Sequence, residues 1–559
     1  MAADRIWLKH YPEGVPASIE DEAARYTSLT QVFDEACSRF ADRPAFLCMG
    51  STMRYAGLEA GARALAAWLQ KRGIAKGDRI AIMLPNLPQY PVAAYGVLRA
   101  GAIIVNVNPM YTAAELAHQL QDSGATAIIV LENMAHTLQQ IRERTPLREI
   151  IVTGAGDMLG GVKGPLVNLM MRHVRRSIPA WQLPGHVRWN TVLRDGTRLP
   201  WQAPAQTPDD VACLQYTGGT TGVAKGAMLT HANLVANLCQ AHAWIRPHVN
   251  GVHECVVTAL PLYHIFAFTA NCLVFLHVGA RNLLIPNARD IDRLVHAMSR
   301  TRFTAITGVN TLFNALIEHP RFARLDFSSL HLTLGGGMAV QATVAQRWLD
   351  VTGRPIAQAY GLTETSPAVT INPLDETRFT GSIGLPVPST EVELRDDDQH
   401  TMGIHEPGEI CVRGPQVSPG YWNRPDETAR AFDADGFFRT GDMGVMDERG
   451  YITLLDRKKD MILVSGFNVY PNEVEAAAIQ HPDILEAAAV GVPSERSGET
   501  VRLIVVRRNP SLDEAAVIAH CRTLLAAYKV PHEVVFRDQL PRSAVGKILR
   551  RALRDGAGN

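Results

Sequence analysis

The residues best suited to chemistry lie together in one short run, Tyr216-Thr217-Gly218-Gly219-Thr220-Thr221-Gly222-Val223-Ala224-Lys225-Gly226. Glycines allow positive φ and let a backbone approach an oxyanion closely. Successive N–H groups in such turns form anion-binding nests. Thr217, Thr220 and Thr221 add hydroxyl donors, and Lys225 adds a cation. The apolar run VACLQ before them predicts a strand, so the segment reads as a strand leading into a phosphate-binding loop. It is not a Walker A loop, G-x-x-x-x-G-K-[ST]. Ala224 stands where that pattern needs glycine, and Gly226 where it needs Ser or Thr, which disfavours a P-loop kinase or GTPase. A second glycine pair, Gly154 and Gly156, misses the G-x-G-x-x-G dinucleotide fingerprint because the next glycine is Gly160. It reads as a turn.

Such a loop needs a scaffold to aim it. A chain of 559 residues exceeds what one core usually organises, so at least two domains are expected. In the first half, apolar runs alternate with helical patterns: DRIAIML (78–84), a helix over 89–101, then AIIVNVN (102–108). This alternation predicts βαβ units and a largely parallel sheet. After residue 375, Gly- and Pro-rich turns separate short strands, predicting a β-rich subdomain. The run Asp456-Arg457-Lys458-Lys459-Asp460 reads as a polar break. The expected fold class is therefore α/β. A large domain (1–455) of parallel αβ layers carries the β-rich subdomain, and a small α+β domain (456–559) follows.

Composition narrows the function. Formal net charge is zero, which removes the global basic field of a nucleic-acid binder. Eight scattered cysteines with no C-x-x-C pair argue against a zinc site or disulfide framework and for a reducing, cytoplasmic location. The N-terminus lacks the apolar core of a signal peptide. Residues 255–280 carry no Asp, Glu, Lys or Arg, but Pro261, His264, Asn271 and His277 interrupt them. A strand, a turn and a buried helix fit this stretch better than a membrane span. Residues 163–181 place Val167, Met170, Met171, Val174 and Ile178 on one helical face and cluster Arg172, Arg175 and Arg176 elsewhere. That pattern fits either a surface helix packed on the core or a basic amphipathic helix at the cytoplasmic face of the inner membrane.

The run YTGGTTGVAKG resembles the signature of the acyl-adenylate-forming superfamily, which includes acyl-CoA synthetases, peptide-synthetase adenylation domains and beetle luciferases. Three further motifs agree in order: Tyr360-Gly361-Leu362-Thr363-Glu364, DGFFRTGDMGVMDERGYITLLDRKKD (435–460) and PRSAVGKILRR (541–551). PLYHIFAFTANCL, AITGVNTLFNAL and DMILVSGFNVYPNEVE are similar to the pattern of bacterial long-chain fatty acid CoA ligases. The resemblance implies ATP-dependent joining of a long-chain fatty acid to coenzyme A through acyl-AMP. It implies Mg²⁺ on Glu364, helped by Thr217, and ATP held by residues 217–222, Lys225, Tyr360, Gly361, Thr363, Asp442 and Arg457. Tyr360 would stack on adenine and Asp442 would accept from the ribose hydroxyls. Lys547 would bridge the substrate carboxylate and α-phosphate. Asp456 would be the hinge of a rotating C-terminal domain, and Ser465, Gly466 and Phe467 would meet CoA. His264, Thr307, Gly308, Val309, Gly335, Gly336 and Gly337 would line the acyl site. Leu463-Val464-Ser465 depart from the lysines many members carry there, so CoA contacts by those lysines do not transfer. A medium-chain or aryl-CoA ligase, a peptide-synthetase module and a non-catalytic scaffold are the competing readings, and a homodimer is compatible with all of them.

Overall fold

The computed structural model describes residues 5–217, 224–249, 253–494, 497–542 and 548–555. Four sheets organise them. In the seven-stranded sheet, Val187–Arg188, Glu149–Thr153, Ala127–Leu131, Arg79–Met83, Ile103–Asn106 and Val211–Thr217 run parallel. Lys225–Thr230 closes one edge antiparallel. Ile103–Asn106, Ala127–Leu131 and Glu149–Thr153 are buried at every residue, as expected of a parallel sheet covered on both faces. Alternate residues serve different cores. Ile80, Ile82, Ile104 and Ile129 join the main core. Ala81, Met83, Val105 and Ile128 join a second one on the other face.

In the nine-stranded sheet, Pro44–Cys48, Arg281–Leu284, Cys255–Thr258, Ala305–Gly308, Leu332–Gly336 and Ala357–Gly361 run parallel, with antiparallel strands at both edges. Helices fill the space between the two sheets. Gln89–Arg99 is buried at every residue and packs closely on Tyr55–Lys71, where a Cβ on Gly96 would lie 2.7 Å from Leu65. The stretch after residue 254 is the strand Cys255–Thr258 and then a broken buried helix from Ile265 to His277. No helix among the described residues is long and apolar enough to cross a membrane.

The β-rich part is an antiparallel sheet of Glu391–Arg395, Gly408–Arg413, Phe438–Met446 and Ile452–Arg457. The C-terminal sheet pairs Phe467–Val469, Ile462–Val464, Gly498–Arg507 and Ile484–Ser494, with Glu533–Phe536 parallel to Gly498–Arg507. It has its own two cores. The charged run at 456–460 begins inside regular structure. Asp456 and Arg457 end a ladder strand, and Asp456 is 1% exposed.

Gly154 and Gly156 form a local turn whose N–H groups are already used. Gly154 donates to Asp157 Oδ2 at 2.7 Å, and Gly156 donates to Asn168 Oδ1 at 2.7 Å. The helix Lys163–Leu169 that follows, continued by a wider turn over Met170–Val174, packs with only part of the face its periodicity suggests. Gly164 abuts Gly156, and Asn168 also bonds Asp157, so Gly164, Val167, Asn168 and Met171 face inward. Met170 and Val174 point to solvent.

Candidate active site

The strands flanking the phosphate-loop sequence form an antiparallel pair whose last register partners are Thr217 and Lys225. Gly218, Gly219, Thr220, Thr221 and Gly222 lie outside the described residues. Beside the second strand runs the segment 418–422. Met228 donates to the Gly420 carbonyl at 2.9 Å, and Trp422 donates to the Gly226 carbonyl at 2.8 Å. At its other end Ser418 donates to the Glu364 carbonyl at 2.7 Å. This strap therefore ties the lysine strand to the turn Thr363–Thr365. Tyr421, in its middle, touches both functional groups. Its phenol donates to Glu364 Oε1 at 2.7 Å, and its ring centroid lies 5.3 Å from Lys225 Nζ. Burial, reinforced by the Glu364 charge, pushes the phenol far above its ordinary pKa, so it stays a donor. Lys225 also pairs with Glu427. Partial burial pulls the lysine pKa down, and Glu364 opposes that.

Tyr421 is the residue that sequence reasoning missed. Its partners lie 57 and 196 positions away, and the only local signal was an aromatic pair after the Pro419-Gly420 turn.

Four residues upstream of Glu364, Tyr360 ends the strand Ala357–Gly361 at the carboxyl edge of the parallel sheet, where open α/β folds bind ligands. Its hydroxyl donates to Asp442 Oδ2 at 2.7 Å, and Arg457 Nε donates to Asp442 Oδ1 at 2.7 Å. Asp442 and Arg457 are register partners on adjacent strands, which fixes this pair. The Asp442 side chain is 3% exposed, so the carboxylate is held by two donors in a largely dry setting. Burial, then the Asp442 charge, drives the Tyr360 phenol pKa far up. Gly361 must be glycine: a Cβ there would sit 1.8 Å from the Pro367 carbonyl oxygen. Thr363 opens the short turn that carries Glu364.

The expected acyl-site residues gather at the carboxyl ends of two neighbouring parallel strands, with Gly308 opposite Gly335. The space their missing side chains leave is filled. The Phe313 ring lies 2.6 Å from a Cβ on Gly308, Ile356 and Val340 lie 2.8 Å from one on Gly335, and Phe266 lies 3.1 Å from one on Gly336. Gly337 takes φ +76°. Thr307 is buried and donates to Asn271 Oδ1 at 2.9 Å. Val309 is 6% exposed. His264 caps the next helix, with Nδ1 accepting from Phe266 N at 3.3 Å.

In the C-terminal part, Ser465 (φ +51°) and Gly466 (φ +83°) form the two-residue turn between Ile462–Val464 and Phe467–Val469, a mirror-image hairpin turn. Phe467 is 56% exposed, and its ring stacks on Tyr528 with centroids 4.9 Å apart. Asp456 clamps the strand end to this part. Its Oδ2 accepts from Asn472 N at 2.8 Å, and its Oδ1 accepts from Arg457 N at 2.8 Å and Arg550 Nη1 at 3.4 Å. Burial raises its pKa against the opposing pull of Arg550. Lys547 lies outside the described residues. Its flanks, Arg542 and Ile548, pair as an antiparallel bridge, and Arg542 is held by Glu486 at 2.5 Å.

Comparison with known proteins identifies the family. The model of the AMP-binding enzyme family matches residues 33–422, and that of the AMP-binding enzyme C-terminal domain matches 473–547. A long-chain-fatty-acid--CoA ligase of Escherichia coli O157:H7 is 54% identical over 554 residues, covering 99% of this chain and 98% of that protein. Its counterpart from Haemophilus influenzae is 47% identical over 99% of this chain and 98% of its own length. Among solved structures, the anthranilate CoA ligase AuaEII in complex with anthranoyl-AMP superposes with a TM-score of 0.83 at 25% identity, covering 95% of this chain and 97% of that one. The chain belongs to the AMP-binding enzyme family.

Proposed function

We propose that the protein joins a long-chain fatty acid to coenzyme A in two steps, forming acyl-AMP from ATP with loss of pyrophosphate and then a thioester with loss of AMP. The observation that carries this reading is the pairing of two clusters through one five-residue segment. Tyr360 reaches Asp442 and Arg457, and Glu364 reaches Tyr421 and, through its ring, Lys225. Full-length likeness to long-chain-fatty-acid--CoA ligases supports the substrate class.

In the first step a fatty carboxylate attacks the α-phosphorus. Both reactants are anions, so the site must neutralise charge as it builds at phosphorus. Lys225 and the loop 217–222 are assigned to the phosphates, Asp442 to the ribose hydroxyls, Tyr360 to the base and Arg457 to ribose or phosphate. Lys547 is assigned to the carboxylate and α-phosphate oxygens. Glu364 suits Mg²⁺. Tyr421 orients its Oε1, its Oε2 has no hydrogen bond among the described residues, and the Val211–Thr217 strand packs against its turn. One carboxylate with a nearby hydroxyl matches an ion that fills its shell with phosphate oxygens and water. When bound, the ion would add positive charge beside the phosphates. For the second step the C-terminal part turns about Asp456 and presents Ser465, Gly466 and Phe467 to CoA. The acyl chain lies near His264, Thr307, Val309 and Gly335–Gly337, which requires the half-buried Phe266 to give way. ATP and CoA supply and eight free, buried thiols suit a cytoplasmic location.

The test is CoA-dependent AMP release by purified protein across a ladder of fatty acids with coumarate as an aryl control. Palmitate or oleate turnover above octanoate supports the reading. Preference for octanoate or coumarate replaces the substrate class, and no AMP release from any acid overturns the activity.

A further inference from the structure

Two imidazoles and a carboxylate that the proposed reaction does not use meet where three helices converge. Glu22 lies on Glu20–Ala23, His242 near the end of His231–Ile245, and His277 at the end of Phe275–His277. One ligand atom from each lies within 4.8 Å of the other two. His242 Nδ1 is 3.0 Å from Glu22 Oε1, and the His242 and His277 rings stand edge to face with centroids 4.9 Å apart. The His242 and Glu22 side chains are 18% and 25% exposed, so the spot is sheltered and still open to an ion from solution.

The protonation states suit a metal. Burial, then the neighbouring His242, depresses the His277 pKa to about 4, so this ring is neutral at pH 7 and keeps a free lone pair. Among the described residues no hydrogen bond reaches its nitrogens. The bond to His242 holds the Glu22 carboxyl below its ordinary value against the pull of burial, so it is an anion. Neutral imidazole and carboxylate are ligands that Zn²⁺ takes, and affinity is greatest where no proton must be displaced. Two arginines act on the cluster but are engaged elsewhere, Arg39 over the Phe40 ring and Arg246 on the Gly14 carbonyl at 3.2 Å. Neither fills the cation position beside Glu22.

We propose that Glu22, His242 and His277 form a Zn²⁺ site with water as the fourth ligand. Zn²⁺ bonds of about 2.0–2.2 Å put tetrahedral ligand atoms roughly 3.3 Å apart. The His242–Glu22 pair at 3.0 Å is already near that spacing. The widest separation, at most 4.8 Å, must close by about 1.5 Å, within reach of side-chain rotation at partly exposed residues. His242 then coordinates through Nδ1 and keeps its proton on Nε2. The ion would clamp Glu20–Ala23 to His231–Ile245. That long helix directly follows the lysine strand, and its Asn233 and Asn237 hold the carbonyls of Pro415, Val417 and Ala368. The clamp stiffens the frame next to the strap without touching substrate, and the inference holds whichever acid the active site takes.

The experiment is equilibrium dialysis of the full chain, stripped with EDTA and desalted, against Zn²⁺ with Mg²⁺ in excess to fill oxygen-only sites. The expected result is one Zn²⁺ per chain with Kd below about 10 µM. Glu22→Gln, His242→Gln and His277→Gln should each raise Kd at least about tenfold. His400→Gln, in the exposed group Asp396, Asp398 and His400, should leave it unchanged. Saturating Zn²⁺ should raise the melting temperature of the wild type but not of His242→Gln. Metal-free variants should release AMP like the wild type, which shows that they fold. The partly exposed His242 and Glu22 keep the test decisive even where His277→Gln does not fold. Wild-type protein that binds no Zn²⁺ at about 100 µM would overturn the proposal, as would binding that His242→Gln and Glu22→Gln leave unchanged.

Discussion

Replacing Tyr421 with phenylalanine isolates one hydrogen bond. The ring stays, so its contact with Lys225 Nζ at 5.3 Å is kept, and the backbone bonds of the strap are unaffected. Only the phenol–Glu364 bond of 2.7 Å is lost. A hydrogen bond to a charged group contributes about 1.5–3 kcal/mol. Glu364 is only half-buried, so water can replace the lost donor and the lower end applies. About 1.5 kcal/mol corresponds to roughly a tenfold drop in kcat/KM. Because the loss acts on the orientation of a carboxylate assigned to Mg²⁺, it should appear as a raised Mg²⁺ requirement. Pyrophosphate exchange with ATP, titrated with Mg²⁺ at saturating oleate, reads the first step alone. The expected outcome is a deficit of about tenfold at low Mg²⁺ that narrows as Mg²⁺ rises, with a melting temperature near wild type. Exchange within twofold of wild type at every Mg²⁺ concentration would refute the reasoning.

Three further outcomes follow from the same geometry. Asp442→Asn leaves one carbonyl to serve both Tyr360 and Arg457 and turns an amide donor toward one of them, so KM for ATP should rise more than about tenfold; an unchanged KM would remove Asp442 from the nucleotide site. Lys547→Ala should slow acyl-adenylate formation by about 10²–10³ while thioester formation from supplied oleoyl-AMP stays within a few-fold, and equal loss in both half-reactions would contradict its assignment. His231 is buried, which depresses its pKa to about 4, and burial likewise takes His277 to about 4. Both are neutral when folded but take up protons near pH 6.5 when unfolded, so their contribution is complete above that value and lost as pH falls toward 4. Each adds a slope of up to about 1.4 kcal/mol per pH unit. Urea unfolding of His231→Asn, whose side-chain oxygen can take over the bond from Leu29 N, should show a flatter acid limb, and an unchanged slope would count against it.

Local chemistry was legible in the sequence where residue type and backbone form coincide. The glycines and threonines after an apolar run mark themselves by residue type, whereas Tyr360, Glu364, Asp442 and Arg457 stand out only through the motifs of the family resemblance. Contacts set by tertiary packing were not legible. Tyr421 reaches Glu364 and Lys225 only because the strap 418–422 pairs with a strand almost two hundred residues earlier. Asp456 read as the start of a polar break and, by resemblance, a hinge, and a sequence does not show that Asn472 and Arg550 close over it. The helix after Gly161 turns only Val167 and Met171 of its expected apolar face inward and leaves Met170 and Val174 in solvent. Two glycines in contact and one asparagine bonded to a turn decide which side packs, and periodicity carries no information about either.

Because the site is assembled by backbone ladders, its most sensitive position need not touch substrate. Gly361 separates Tyr360 from the turn bearing Glu364, and a Cβ added there would meet the Pro367 carbonyl oxygen at 1.8 Å and its carbon at 2.6 Å. Those are backbone atoms, so no rotamer change relieves the overlap and the segment 362–367 must move by about 1 Å or more to restore van der Waals contact. That segment carries Glu364, and a misplacement of about 1 Å can cost roughly 10²-fold in rate. Gly361→Ala should therefore lose about 10² in pyrophosphate exchange and lower the melting temperature. A matched change at Gly57, which likewise lacks a positive φ and where a Cβ would meet only Met53 Cγ at 3.8 Å, controls for loss of a glycine without a clash. If Gly361→Ala exchanged pyrophosphate at the wild-type rate, the Tyr360–Glu364 segment could not be the rigid link that holds the two clusters in register.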